Sequence, residues 1–335
     1  MAATHRAATI KAVAARAGVS LSSVSRVMNG NDRVDPDIVA RVRSAAAELD
    51  YRPSPLARSL VLGQTSTVAV LVPDLGNPTF QSILRGVSRA ADGGGYRVLV
   101  ADSIENSGDE FGLALDLRRR CDALILCSPR MDVEQLAHLI EIARPIVLLN
   151  REAPSGAAPS LSIDYEDGIR QLAGHLYDLG HRSIVYVAGS ERSASNQERL
   201  RGIRTFVADH PDVSIDTIAG GVSFEHGHAA ADAVLASGAT AVLAFNDLVA
   251  TGLLAEVRRR GVDVPGRLSI TGFDDTPFAE YTMPALTTAA SPTDDLGQLA
   301  WERISAILGG REPGQDVDLL PGLRVRDSTG PVPRS

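Results

Sequence analysis

The sequence predicts a small all-α head joined to a larger α/β body of two lobes, each built on a parallel, doubly wound sheet. Three observations carry this. The first fifty residues hold three short segments whose apolar positions recur every three or four residues. From Ser66 onward, β-rich runs (STVAVLV, YRVLVAD, DALILCS, PIVLLN, SIVYVAG, ATAVLAFND, LSITGFDD and LTTAAS) alternate with segments of helical length, the pattern of βαβ units. These runs are too many for one compact sheet and the series restarts near Leu161, which divides the body in two.

In the head, Thr9 can cap a helix with apolar positions Ile10, Val13, Ala14 and Ala17, and Gly18 can end it. Ser20 caps a second helix. Its inner face is Val24, Val27 and Met28, and its outer face is Leu21, Ser22, Ser25 and Arg26. A third starts at VDPD, with Asp35 as cap and Pro36 in the first turn, and buries Val39, Val42, Ala46 and Leu49. Two helices joined by about four residues around a glycine form a helix-turn-helix unit. The small residues on the second helix permit close approach to a major groove, where Arg26 can reach base edges or phosphate. The same periodicity also suits a three-helix bundle with a solvated face.

Charge separates these readings. The chain of 335 residues has net charge −8. Residues 1–63, however, hold nine basic against five acidic side chains, a surplus of +4, which leaves −12 on the rest. A basic head on an acidic body is expected where only the head meets phosphates. In the linker from Tyr51 to Leu60, Ser54 can cap and Pro55 can start a short helix ending at Leu60. Alone it is marginal because so few residues cannot offset nucleation, so from these residues alone a flexible tether is the favoured reading of the linker.

Ligands of open α/β sheets bind beyond the carboxyl ends of the strands. The residues there are Asp74, Asn77 and Phe80; Asn150 and Arg151; Ser193, Asn196 and Arg199; Asn246 and Asp247; Asp274 and Asp275. Carboxylates and amides can bracket vicinal hydroxyls, Arg can donate to a ring oxygen, and Phe can pack on an apolar sugar face. A nucleoside or a phosphorylated effector suits the same donors. Simpler roles are open too: Phe80 as core, Asn246 as a helix cap, and Asp275 as a structural partner while Asp274 faces the ligand.

Other classes are disfavoured. No dinucleotide fingerprint, P-loop, nucleophile elbow or H-E-x-x-H stands in the chain, which argues against an enzyme. The seven histidines form no ligand spacing, and Cys121 and Cys127 read as buried thiols, so no metal and no cofactor is expected. Apolar runs are too short for a bilayer. No signal peptide is read at the N-terminus, which disfavours an exported solute-binding protein and gives a cytoplasmic, nucleoid-associated expectation.

TIKAVAARAGVSLSSVSRVMNG, then DRV and LDYRPSPLARSL, resembles the head of the lactose-repressor (LacI/GalR) family of bacterial transcription regulators, and the order of motifs matches over essentially the whole chain. The resemblance implies a sequence-specific repressor, a homodimer on a pseudo-palindromic operator, controlled by a sugar or sugar derivative. The alternative is a sugar sensor acting as an activator or a corepressor-dependent regulator. It implies a body like the type I periplasmic binding proteins, with three crossings between lobes. The boundaries are then 1–53 for the DNA-binding head, 54–63 for a hinge helix, and 64–330 for effector binding and dimerisation. One lobe takes 66–160 and 292–319, the other 161–291 and 320–330. Leu21, Ser22 and Arg26 would read bases; Ser20, Ser23, Asn29 and Arg33 would lie near the backbone or adjacent bases; Thr9, Ser25 and Tyr51 complete the DNA-facing set. Leu60, beside Ala57 and Arg58, would enter the minor groove as a wedge. Asp74, Phe80, Asn150, Ser193, Arg199, Asn246 and Asp274 would meet the effector. The chain departs from the family pattern at Ala12, at Asn150 where aspartate is frequent, and at Ser291 where a glutamine often precedes proline. No leucine heptads follow the last strand, so a tetramer built by a C-terminal bundle is not expected.

Overall fold

The computed structural model describes residues 8–28, 34–51 and 63–332. The expected hinge helix over 55–60, with Ala57, Arg58 and Leu60, lies outside the described residues, as do Asn29 and Arg33. The chain divides into two compact units, Met1–Ser66 and Thr67–Ser335.

The first unit holds α1 (Ile10–Ala17), α2 (Leu21–Met28) and α3 (Pro36–Glu48). Thr9 caps α1 by accepting the Ala12 N–H, and Gly18 ends it at φ 64°, a left-handed conformation open to glycine without a Cβ penalty. Asp35 caps α3 at the Asp37 N–H (2.8 Å). Val13, Ala14, Ala17, Val24, Val27, Val42, Ala45 and Ala46 form the core. Ala45 is buried where Val39 and Leu49 were expected to be; those two are half-buried at its edge, so the buried stripe of α3 is narrower than its apolar residues suggest.

The second unit begins with β1 (Thr67–Val72), β2 (Arg97–Asp102), β3 (Ala123–Cys127), β4 (Ile146–Leu149) and β5 (Ser160–Ile163). Next come β6 (Ser183–Ala188), β7 (Ser214–Ala219), β8 (Ala241–Ala244), β9 (Ser269–Asp274) and β10 (Thr287–Ala290), with β11 (Val317–Leu319) and β12 (Gly322–Arg324) last. The intervening helices are α4 (Pro78–Gly93), α5 (Ser107–Arg118), α6 (Val133–Ile142), α7 (Tyr165–Asp178), α8 (Ala194–Asp209), α9 (Phe224–Ala236), α10 (Asp247–Arg259) and α11 (Thr293–Leu308).

The strands form two six-stranded sheets, ordered β11-β5-β4-β3-β1-β2 and β12-β10-β9-β8-β6-β7. Both faces of each are covered, which is why the strands read as nearly continuous apolar runs. Alternate β1 residues show it. Val68, Val70 and Val72 share a core with Ile83, Val87, Leu296 and Trp301, whereas Ala69 and Leu71 join Ala114, Leu117, Leu136 and Leu139. Helices α4 and α11 pack closely enough that a Cβ on Gly86 would collide with the Asp294 carbonyl, and one on Gly297 with that of Ile83. Among the described residues no helix is long and apolar enough to cross a membrane.

The structure corrects the expected topology in three ways. First, β12 runs antiparallel to β10, because it arrives straight from the first sheet without a crossover helix. Second, β5 pairs with β4 through Leu148–Ser160 and Leu149–Leu161, so the first lobe extends to Ile163 and not only to Ser160. Third, β5, β7 and β11 were not expected as strands. Their apolar content is low: SLSI carries two serines, and β7 is an edge strand with no buried residue. The chain crosses between the sheets after β5, β10 and β11.

Candidate functional site

In the head, the side of α2 away from Val24 and Val27 presents Leu21, Ser22 and Arg26 to solvent, with Leu21 44% exposed. Ser23 and Ser25 are half-buried. Ser20 Oγ accepts the Ser23 N–H at 3.2 Å and lies 2.8 Å from Ser22 Oγ and 2.9 Å from Ser23 Oγ, so a hydroxyl network fixes the start of this helix. Thr9 is likewise tied to capping. Tyr51 packs against the head core and its N–H bonds the Ala46 carbonyl at 2.8 Å, which gives it a structural role in closing α3.

In the second unit, the carboxyl ends of both sheets face a small cavity of about 30 Å³. Six of the seven sequence-predicted effector residues line it: Asp74, Phe80, Asn150, Arg199, Asn246 and Asp274. Ser193 does not. It caps α8 through the Asn196 N–H (3.4 Å), and its hydroxyl sits 2.9 Å from that of Ser195, which takes the lining position two residues further on.

Arg199 is the largest fully buried side chain, 2% exposed. Its guanidinium lies over three rings, 4.0 Å from Phe273, 4.3 Å from Tyr165 and 4.5 Å from Phe245. Nη1 donates to the Ser195 carbonyl at 3.0 Å, while Nε has no hydrogen-bond partner. A buried cation held by ring faces with a spare donor is costly unless something else accepts from it. Arg130 differs: Nε and Nη2 grip Glu105 at 2.9 and 3.0 Å, and Nη1 donates to the Ser128 carbonyl.

Asp274 ends β9 at φ 106°, a conformation rare for aspartate. Its Oδ2 accepts from Thr79 Oγ1 at 2.9 Å and its Oδ1 from Ser291 Oγ at 3.4 Å. Burial raises its pKa to about 6 against the opposing pull of Arg199. Behind it, Asp247 is fully buried, accepting from Thr288 Oγ1 (2.7 Å) and the Thr276 N–H (2.6 Å). Burial, then the neighbouring Asp274, raises its pKa to about 7. Asp275 is the structural partner of Arg326, at 2.7 Å.

Two predicted contacts carry a second duty. Phe80 lines the cavity and belongs to the core. Asn246 lines the cavity and is also the helix cap that the sequence left open: its oxygen accepts the Val249 N–H of α10 and its Nδ2 donates to the Val222 carbonyl at 3.0 Å. Asn150, at φ 54°, accepts from the Ile163 N–H at 3.3 Å. Thr79, Glu105, Ser128, Arg130, Tyr165, Ser195 and Phe245 also line the cavity and were not singled out. The rule that picked the loops after the other strands also applies to DALILCSPR, and there it finds Ser128 and Arg130. Tyr165 follows β5, whose polar sequence hid it.

Mixed charge, buried amides and three rings suit a neutral, hydroxyl-rich molecule better than a metal ion. Among the described residues no group of three His, Cys, Asp or Glu is placed to hold one.

Comparison with known proteins agrees with this architecture. A model of a periplasmic binding protein-like domain matches residues 173–329, and one of bacterial regulatory proteins, lacI family, matches residues 9–54. The chain is 32% identical to the HTH-type transcriptional repressor CytR of Escherichia coli (strain K12) over 333 residues, 98% of each protein. A crystal structure of the lac repressor dimer bound to operator and the anti-inducer ONPF superposes with a TM-score of 0.86 at 27% identity, covering 97% of this chain and 100% of that one. The complex of the transcriptional regulator CelR with cellobiose gives 0.71 at 29%, covering 96% and 99%. With its matched head, its two parallel-sheet lobes and a relative of this identity along its whole length, the chain belongs to the lacI family of bacterial regulatory proteins.

Proposed function

We propose that this regulator is a repressor that binds a pseudo-palindromic operator as a homodimer and is controlled by a sugar-like effector held between its two lobes. Residues 1–53 would read DNA, 54–63 would join head to body, and 64–330 would bind effector and dimerise. The observation that carries the reading is Arg199, a buried guanidinium with a spare donor, which lines the cavity together with Asp74, Asn150 and Asp274. A hydroxyl-bearing ring can accept from the arginine, donate to the carboxylates, and pack on Phe80. The solved relatives support the two partners separately: the lac repressor structure is a dimer on operator, and CelR is bound to cellobiose. Phe278, Tyr281 and Met283 expose large apolar surfaces on the second lobe, which suits pairing with a second copy.

Two heads would read half-sites about one helical turn apart, and effector binding would be coupled reciprocally to DNA binding. Selection of bound duplexes from a random DNA library at fixed moderate salt tests this. The expected result is a palindrome with a shared half-site, which then serves as the probe for a sugar panel that shifts operator affinity. Recovery of duplexes without any common half-site overturns the operator reading.

A further inference from the structure

Thr79 sits in the first turn of α4 in the first lobe, and Asp274 ends β9 in the second. Their 2.9 Å hydrogen bond therefore spans the two lobes. The bond is held from both sides. The Thr79 N–H is fixed by Asn77 Oδ1 at 3.0 Å, and the second carboxylate oxygen of Asp274 accepts from Ser291 on the crossover that follows β10. Thr79 is buried, so its hydroxyl has little water to turn to. The bond is also a wall. On one side lies the cavity of Arg199; on the other lies a second hollow of about 290 Å³, lined by Gln81, Arg85, Thr276, Ser291 and Asp295, and the two share Thr79 and Asp274. Arg192 also reaches Ser107 across the lobes, but at an exposed position where water competes.

From this arrangement we infer that the Thr79 hydroxyl is the closing latch of the cleft, a positioning residue that sets how strongly the two lobes come together. Asp274 is the point on which it acts. A hydroxyl donating to a carboxylate is stronger than a neutral pair, and burial removes the competition of solvent. Loss of the hydroxyl leaves a half-buried carboxylate short of one donor and favours separation of the lobes. The consequence for effector binding rests on the function proposed above; the latch itself does not.

Valine is nearly isosteric with threonine and keeps the N–H that Asn77 caps, so Thr79→Val isolates the hydroxyl. Spin labels at Glu134→Cys on α6 and Gln197→Cys on α8, both exposed, report the lobe separation by double electron–electron resonance, with Cys121 and Cys127 buried and unlabelled. The full chain is used, labelled protomers are diluted with unlabelled ones, and no effector is added, so the outcome does not depend on whether the cavity takes a sugar. The expected result is a shift of the distance distribution to longer values in Thr79→Val, and a distribution like that of the unsubstituted chain in Thr79→Ser. Thr79→Ala serves as a second hydroxyl-free variant should the valine fail to fold. An unchanged distribution without the hydroxyl overturns the latch. So does an equal shift in Thr79→Ser, which would assign the effect to the lost methyl.

Discussion

The guanidinium carbon of Arg199 lies 4.0 Å from the centre of the Phe273 ring, and Phe273 immediately precedes Asp274 on β9. A cation on α8 is thereby stacked against the strand whose last residue is a carboxylate of the cavity. The stack fixes the arginine where its neighbour cannot pair with it: no ion pair joins Arg199 to Asp274, although the charge of Arg199 pulls down the pKa of that acid. Donor and acceptor stand apart on one wall, ready for a ligand that offers both an acceptor and a hydroxyl.

Arg199→Lys should keep the charge and lose the planar stack. An ammonium carries no flat face to lie on three rings and places its donors differently. Effector affinity should fall about 10- to 100-fold, the equivalent of one hydrogen bond to a charged group at ~1.5–3 kcal/mol. Operator affinity without effector should stay as it was. Calorimetric titration with a sugar identified by the operator screen reads the first, and fluorescence anisotropy with the operator reads the second.

Asp247 makes a pH prediction. Its pKa is raised from 3.8 to about 7, chiefly by burial, so the folded protein holds this proton more tightly than the unfolded chain does. The stabilisation from that proton is complete below about pH 3.8 and is lost as pH rises through about 7. Asp247→Asn cannot ionise and lacks this loss. Between pH 5 and pH 8, denaturant titrations should show the stability of the unsubstituted protein falling relative to the asparagine variant by on the order of 2–4 kcal/mol. A constant difference across that range would mean the buried carboxyl does not titrate there.

Much of this was legible in the sequence because burial on both faces of a parallel sheet leaves long apolar runs, and because caps leave Thr9, Gly18 and Asp35 at fixed places. The loops beyond those runs led to seven cavity residues, Asn77 among them. Legibility failed where polar residues build strands, as in β5, and so Tyr165 went unnoticed. Where one side chain has two tasks the sequence left both open: Asn246 reads as a ligand contact or a cap, and it lines the cavity while capping α10 and donating to the Val222 carbonyl. Nor does spacing reveal the Thr79–Asp274 bond, whose residues are 195 apart in the chain and meet only when the two sheets do.

Arg26 tests the head. It lies exposed on the outer side of α2, one turn from Ser22, where the groove reading puts it against DNA. If it meets a phosphate, Arg26→Ala should weaken binding to all sequences alike and reduce the slope of log affinity against log salt by about 1. If it grips a guanine edge, the loss should instead be ~1–3 kcal/mol on the selected operator and much smaller on duplexes altered at one half-site position, with the slope nearly unchanged. Anisotropy titrations over a salt series, on the selected operator and on single-base variants, separate the two. The base-reading role expected from the resemblance predicts the second pattern, and an unchanged affinity under all conditions would remove Arg26 from the interface.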